Sequence, residues 1–148
     1  MAHISTRDPR LTAWSTFLRA HARVVRELER ELQAEQRLAL TDYDVLVQLS
    51  VADDRRLRMS ELADRLLLSR SGVTRLVDRL VAEGLVERTT CETDRRGQWA
   101  ALTDAGYERL RAASPTHLRG VAEHFLDRLS PGDLGNLERM LGGVVTAE

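Results

Sequence analysis

The chain has 148 residues, 43% hydrophobic and 30% charged, with a formal net charge of −1, a balance that fits one globular domain and excludes a modular enzyme, a disordered chain or a fibrous repeat. Its longest apolar runs, such as Leu66 to Leu68, are far shorter than the roughly 20 residues that cross a bilayer. The opening MAHISTRDPRL has no apolar core of the kind a secretory signal needs, so a cytoplasmic protein with no membrane partner is expected.

Residues 10–36 carry Leu11, Trp14, Leu18, His21, Ala22, Val25, Leu28 and Leu32 at three- and four-residue steps, which predicts a long amphipathic helix. Thr41 with Asp44 three residues on resembles a capping box for a second helix through Val45, Leu46 and Leu49, which ends in the polar run Ala52-Asp53-Asp54-Arg55-Arg56. Ser60 is a good N-cap for a third helix to Leu66, and Leu67-Leu68-Ser69 is the turn after it. Ser69 then caps a fourth helix with Val73, Leu76, Val77 and Leu80 on one face and Gly84 as its stop. Two short helices joined by a tight turn make a helix-turn-helix candidate.

After Gly84 the period changes. Residues 85–91 read as a strand, 92–97 as a charged hairpin tip and 98–102 as the returning strand, so a β wing of two or three strands is expected. Thr103-Asp104 caps a long helix with Leu110, Ala113, Leu118, Val121, Phe125 and Leu129 on its inner side and Pro115 as a site of bending. Ser130-Pro131-Gly132-Asp133 starts a final helix through Leu134, Leu137, Met140 and Leu141. The expected fold is therefore mainly α with a small wing: one domain, 1–148, in which long helices at 8–38 and 104–146 flank a winged helix-turn-helix lobe at 40–103.

All 22 basic residues are Arg and none is Lys, which removes Schiff-base and P-loop lysine chemistry. With no G-x-S-x-G, no H-E-x-x-H and no glycine-rich phosphate loop, neither an enzyme nor a cofactor is expected. Residues 55–98 hold 10 Arg against 7 acidic side chains, a net +3, while both flanking thirds are net −2. Within that basic third the first turns of the fourth helix put Ser69, Arg70, Ser71, Gly72, Thr74 and Arg75 opposite its apolar face. Arg can grip guanine O6 and N7, Ser and Thr can meet phosphate or base, and the helix start adds N–H groups for phosphate. Double-stranded DNA is thus the expected partner, with Arg79 one turn on as a backbone contact or an exposed pair with Asp78 or Glu83. The long outer helices carry more apolar stripe than a winged helix of about 70 residues can cover, so a second copy of the chain is expected to bury the surplus.

The run LSRSGVTRLVDRLVAEGLVERTTCETDRRGQWAALTDAG, with Asp94-Arg95-Arg96-Gly97 in the wing and Leu102-Thr103-Asp104-Ala105-Gly106 after it, resembles the winged-helix core of the MarR family of transcriptional regulators. The resemblance is clear over residues 58–107. It implies a homodimer with intertwined terminal helices, binding a pseudo-palindromic operator as a repressor and releasing it to a small, often aromatic or phenolic, ligand. It also implies that Arg96 enters the minor groove with Asp94 as its ionic partner, that Arg95 touches phosphate, and that Arg88 braces the wing base against Asp94.

Trp14, His21 and Tyr43 are the candidate walls of an effector pocket. His117 and His124 are seven apart with no Cys or His at ligand spacing, so no metal site is expected. Cys91 has no disulfide partner and reads as a passive thiol, with a redox role beside Arg88 as the alternative. The alternative to a DNA-binding regulator is a winged helix used as a protein-interaction module, which would expose apolar anchors where this chain has Ser, Thr and Arg.

Overall fold

The computed structural model describes residues 5–90 and 97–146. In chain order the elements are α1 (Leu11–Gln36), α2 (Leu40–Ser50), β1 (Arg56–Arg58), α3 (Met59–Leu66), α4 (Arg70–Ala82), β2 (Val86–Thr90), β3 (Gln98–Leu102), α5 (Asp104–His124) and α6 (Pro131–Val145). The molecule is mainly helical with one small antiparallel sheet of order β1-β3-β2, the winged-helix fold expected from the sequence. Arg58 pairs with Trp99 on one side of β3, and Thr89 pairs with Trp99 on the other. The chain divides into two compact units, one running Leu32–Thr116 and the other joining the chain before Leu32 to the chain after Thr116, with both boundaries inside helices.

The Leu32–Thr116 unit is built around Leu46, Leu49, Leu62, Val73, Val77, Leu80, Val86 and Ala100, all buried. The inner face of α4 is the one its three- and four-residue spacing predicts, and Gly84 takes φ 75° to end the helix region. Other boundaries differ from the sequence reading. Helix α2 begins at Leu40 with Ala39 at its N-cap and no side-chain cap, so Thr41 and Asp44 form no capping box. Helix α3 starts one residue before Ser60, because Arg58 ends β1 and serves as N-cap while the Glu61 carboxylate accepts from the Arg58 N–H at 3.2 Å. Leu67 closes α3 with φ 54°, a left-handed conformation in which its side chain stands 92% exposed.

The start of α5 is locked from three sides. Thr103 Oγ1 donates to the Gly84 carbonyl at 2.7 Å and accepts from the Gly106 N–H at 3.0 Å, while the Thr103 N–H donates to the Leu85 carbonyl at 3.2 Å. Gly106 lies flat against that carbonyl, and a Cβ built on it would sit 2.1 Å from the Leu85 oxygen. In the sequence these residues read as a cap and a signature; in space they join the wing to the next helix.

In the other unit, α6 starts as its sequence predicts, with Ser130 Oγ accepting from the Asp133 N–H at 3.1 Å and Pro131 as the first helical residue. None of its residues is buried. Trp14, Phe17, Leu18, Leu118, Leu126, Met140, Val144 and Val145 are all exposed as well. Leu118, expected on an inner face, is 61% exposed. Phe125 and Leu129 lie beyond α5, which ends at His124 because Phe125 leaves helical geometry (φ −134°, ψ −63°) before a short 3-10 turn.

Candidate nucleic-acid interface

The start of α4 is organised by one serine. Ser69 Oγ accepts from the Gly72 N–H at 3.1 Å and lies 3.2 Å from Ser71 Oγ. This cap leaves the N–H groups of Arg70 and Ser71 without an intrahelical partner, the arrangement that draws anions to helix starts. Ser69, Arg70, Ser71, Thr74 and Arg75 are exposed, and Gly72 is half-buried beneath Ser69. Arg70 and Thr74 line an open cleft of about 320 Å³ with Arg58, Ser60, Gly97 and Gln98. The cleft therefore gathers the starts of α3, α4 and β3, with two Arg among its lining residues.

The sequence reading missed a second cationic feature. The Arg56 and Arg58 guanidinium groups stand 4.9 and 5.3 Å from the centre of the Trp99 ring, within the range of cation–π attraction. The pairing of β1 with β3 puts them there, since Arg58 and Trp99 are register partners. A strand of three residues is too short for alternation to declare itself, and Arg56 had read as the polar end of a helix. The stack fixes two Arg side chains on the sheet, of which Arg58 also borders the cleft, and reduces the rotamer freedom they would lose on meeting phosphate.

One arginine does different work from that expected, and another has partners that the sequence reading did not name. Arg79 donates to Asp42, whose carboxylate is buried at the start of α2, and this bond holds the guanidinium above its usual pKa. Neither Asp78 nor Glu83 is its hydrogen-bonded partner; it ties α4 to α2. Asp78 is taken by Arg88, at 2.9 Å, and Arg88 also donates to the Thr74 carbonyl at 3.2 Å. Arg88 thus braces the wing base to α4. The expected bracing partner Asp94 lies outside the described residues, as do Arg95, Arg96 and Cys91.

Arg79→Ala is expected to lower stability by about 2 kcal/mol, because Asp42 is left buried without its strongest donor while the half-exposed Arg79 side lets water compensate in part. Chemical denaturation of the variant and of Asp42→Asn measures this; an unchanged midpoint for Arg79→Ala would remove the bond from the account.

The pocket candidates fall in separate units. Tyr43 is 5% exposed in the Leu32–Thr116 unit, where its hydroxyl donates to Ser114 Oγ at 3.4 Å. Trp14 and His21 belong to the other unit, in a row with Phe17 between them at ring separations of 6.2 and 6.5 Å. His21 borders an apolar cleft of about 470 Å³ whose walls include Phe17, Val24, Phe125, Leu137 and Leu141.

Comparison with known proteins agrees with this geometry. The model of the MarR family matches residues 38–97. The HTH-type transcriptional regulator PapX of Escherichia coli is 35% identical over 80 residues, covering 52% of this chain and 49% of its own length, so the chain spans about half the length of the curated relatives it matches. Among solved structures, AbsC of Streptomyces coelicolor, a MarR family transcriptional regulator, is 36% identical with a TM-score of 0.87 over 98% of this chain and 96% of that one. Sco3205 of the same organism, a MarR family transcriptional regulator solved in complex with DNA, is 35% identical with a TM-score of 0.85 over 99% and 94%.

Proposed function

The chain belongs to the MarR family, and on that premise we propose that it is a sequence-specific DNA-binding transcriptional regulator. The observation that carries the reading is the divided α4. Val73, Leu76, Val77 and Leu80 on its inner face are buried, while Ser69, Arg70, Ser71, Thr74 and Arg75 stand exposed beside the Arg58 cleft. That is the disposition of a recognition helix, with Arg for base edges and small hydroxyls and helix N–H groups for phosphate. In this reading the wing residues Asp94, Arg95, Arg96 and Gly97 reach the neighbouring groove, and Arg88 holds the wing at its working angle.

The regulator acts as a homodimer. Exposed Trp14, Phe17, Leu18, Met140, Val144 and Val145, together with the apolar cleft beside His21, leave apolar surface uncovered on the terminal helices, and the second copy covers it. A two-fold dimer sets its recognition helices about one DNA turn apart, roughly 34–36 Å, over a pseudo-palindromic operator. Where that operator overlaps a promoter, occupancy represses it, and a small aromatic or phenolic effector, with Trp14 and His21 as candidate contacts, releases it.

Fluorescence anisotropy with the DNA upstream of the protein's own gene, against a scrambled fragment at two salt concentrations, tests the reading. Tight, salt-sensitive binding that prefers the native fragment is expected, and aromatic acids added to the complex are expected to lower the anisotropy. If a genome-wide selection of bound fragments also recovers no preferred sequence, the protein-interaction reading replaces this one.

A further inference from the structure

The end of α5 meets α1 in a cluster that the DNA-binding reading does not use. Glu27 and Glu31 stand one turn apart on α1, the spacing that puts two side chains on one helix face. His124, the last residue of α5, brings Nε2 to 2.7 Å from Glu31 Oε1. One ligand atom from each of Glu27, Glu31 and His124 falls within 4.8 Å of the other two. We propose that these three residues bind a divalent transition-metal ion.

The strongest support is an oxygen with nothing to bond. The Glu31 side chain is only 13% exposed, and its Oε2 is buried without a hydrogen-bond partner. A buried carboxylate oxygen without a donor is costly, and a cation beside it removes that cost. Room for this carboxylate depends on Gly120, where an added Cβ would lie 2.7 Å from Glu31 Oε2 and 2.7 Å from Leu28 Cδ2. Arg30 closes the outer side, 2.9 Å from Glu27 Oε2 and 3.6 Å from Glu31 Oε1, and its side chain is 63% exposed, so it can swing into solvent when a metal takes its place.

The donor set selects the class of ion. One imidazole with two carboxylates suits Zn²⁺ and its first-row neighbours, whereas Ca²⁺ and Mg²⁺ prefer oxygen alone. Three protein ligands leave a position for water, and ligand bonds of about 2.0–2.2 Å place the donors roughly 3.4 Å apart, a spacing that separations of 2.7 Å and up to 4.8 Å reach by rotamer adjustment. His124 must bind through its unprotonated Nε2, so the metal replaces whatever proton that nitrogen shares with Glu31. Sequence spacing conceals the site because His124 lies 93 residues from Glu31.

Zn²⁺ titrated calorimetrically into the chelator-treated full chain tests the proposal, with no DNA present, so the result does not depend on the regulatory function. One equivalent per chain is expected. His124→Ala and Glu31→Gln are each expected to weaken binding by about 10-fold or more, while His3→Ala leaves it unchanged. Co²⁺ serves as a second probe, its visible bands vanishing in His124→Ala; thermal melts of the variants without metal separate loss of the site from loss of the fold. Folded His124→Ala and Glu31→Gln proteins that bind Zn²⁺ as the parent does, or a parent that takes up none, would overturn it.

Discussion

Gly106→Ala is expected to lower the melting temperature by about 6–12 °C, equivalent to about 3 kcal/mol in a chain of this size. The cause is backbone contact rather than backbone flexibility. An added Cβ would lie 2.1 Å from the Leu85 carbonyl oxygen and 2.6 Å from Leu102 Cδ1. A leucine methyl can turn away, but the carbonyl cannot, because it accepts the Thr103 N–H at 3.2 Å. The substitution therefore pushes α5 off the wing and breaks the bonds through which Thr103 ties Gly84 to Gly106. Differential scanning calorimetry measures the loss, and Ala105→Gly next door serves as a control that carries no such clash. A Gly106→Ala protein melting within a degree or two of the parent would mean that the two segments separate freely.

Much of this architecture was legible in the sequence because the signals were local. Ser69, Gly84, Thr103 and Ser130 each announce a helix end within four residues, and each sits at the boundary it predicts. The apolar face of α4 likewise follows from Val73, Leu76, Val77 and Leu80 alone. Where the reading missed, either the helix began before its apparent cap or a distant partner had decided the outcome. Thr41 and Asp44 match a capping pattern, yet α2 begins before them. Arg79 has acidic neighbours on its own helix, yet it bonds Asp42, 37 residues away. Arg56 and Arg58 acquire a role only when β1 pairs with β3 and presents Trp99 to them. Charge composition identified the basic third of the chain, but only tertiary contacts divide its arginines between holding the fold and facing a ligand.

That division leads to the largest expected effect on function. The double variant Arg70→Ala/Arg75→Ala is expected to reduce operator affinity by at least about 100-fold, since each base- or phosphate-gripping Arg is worth about 1–3 kcal/mol and a dimer loses both from each recognition helix. Both side chains are exposed, and among the described residues neither is bound to a buried acid, so the variant is expected to melt with the parent. Arg79→Ala is expected to do the reverse, destabilising the fold while the molecules that remain folded bind DNA almost as before, because its guanidinium already belongs to Asp42. Anisotropy titrations at two salt concentrations, run well below each protein's melting point, distinguish the cases. Loss of preference for the native fragment in the double variant assigns base reading to α4, whereas a uniform loss with a flatter salt slope assigns these two Arg to phosphate. A folded double variant that binds like the parent would move the recognition surface away from α4, and the Arg56–Trp99–Arg58 stack on the sheet would be the next surface to mutate.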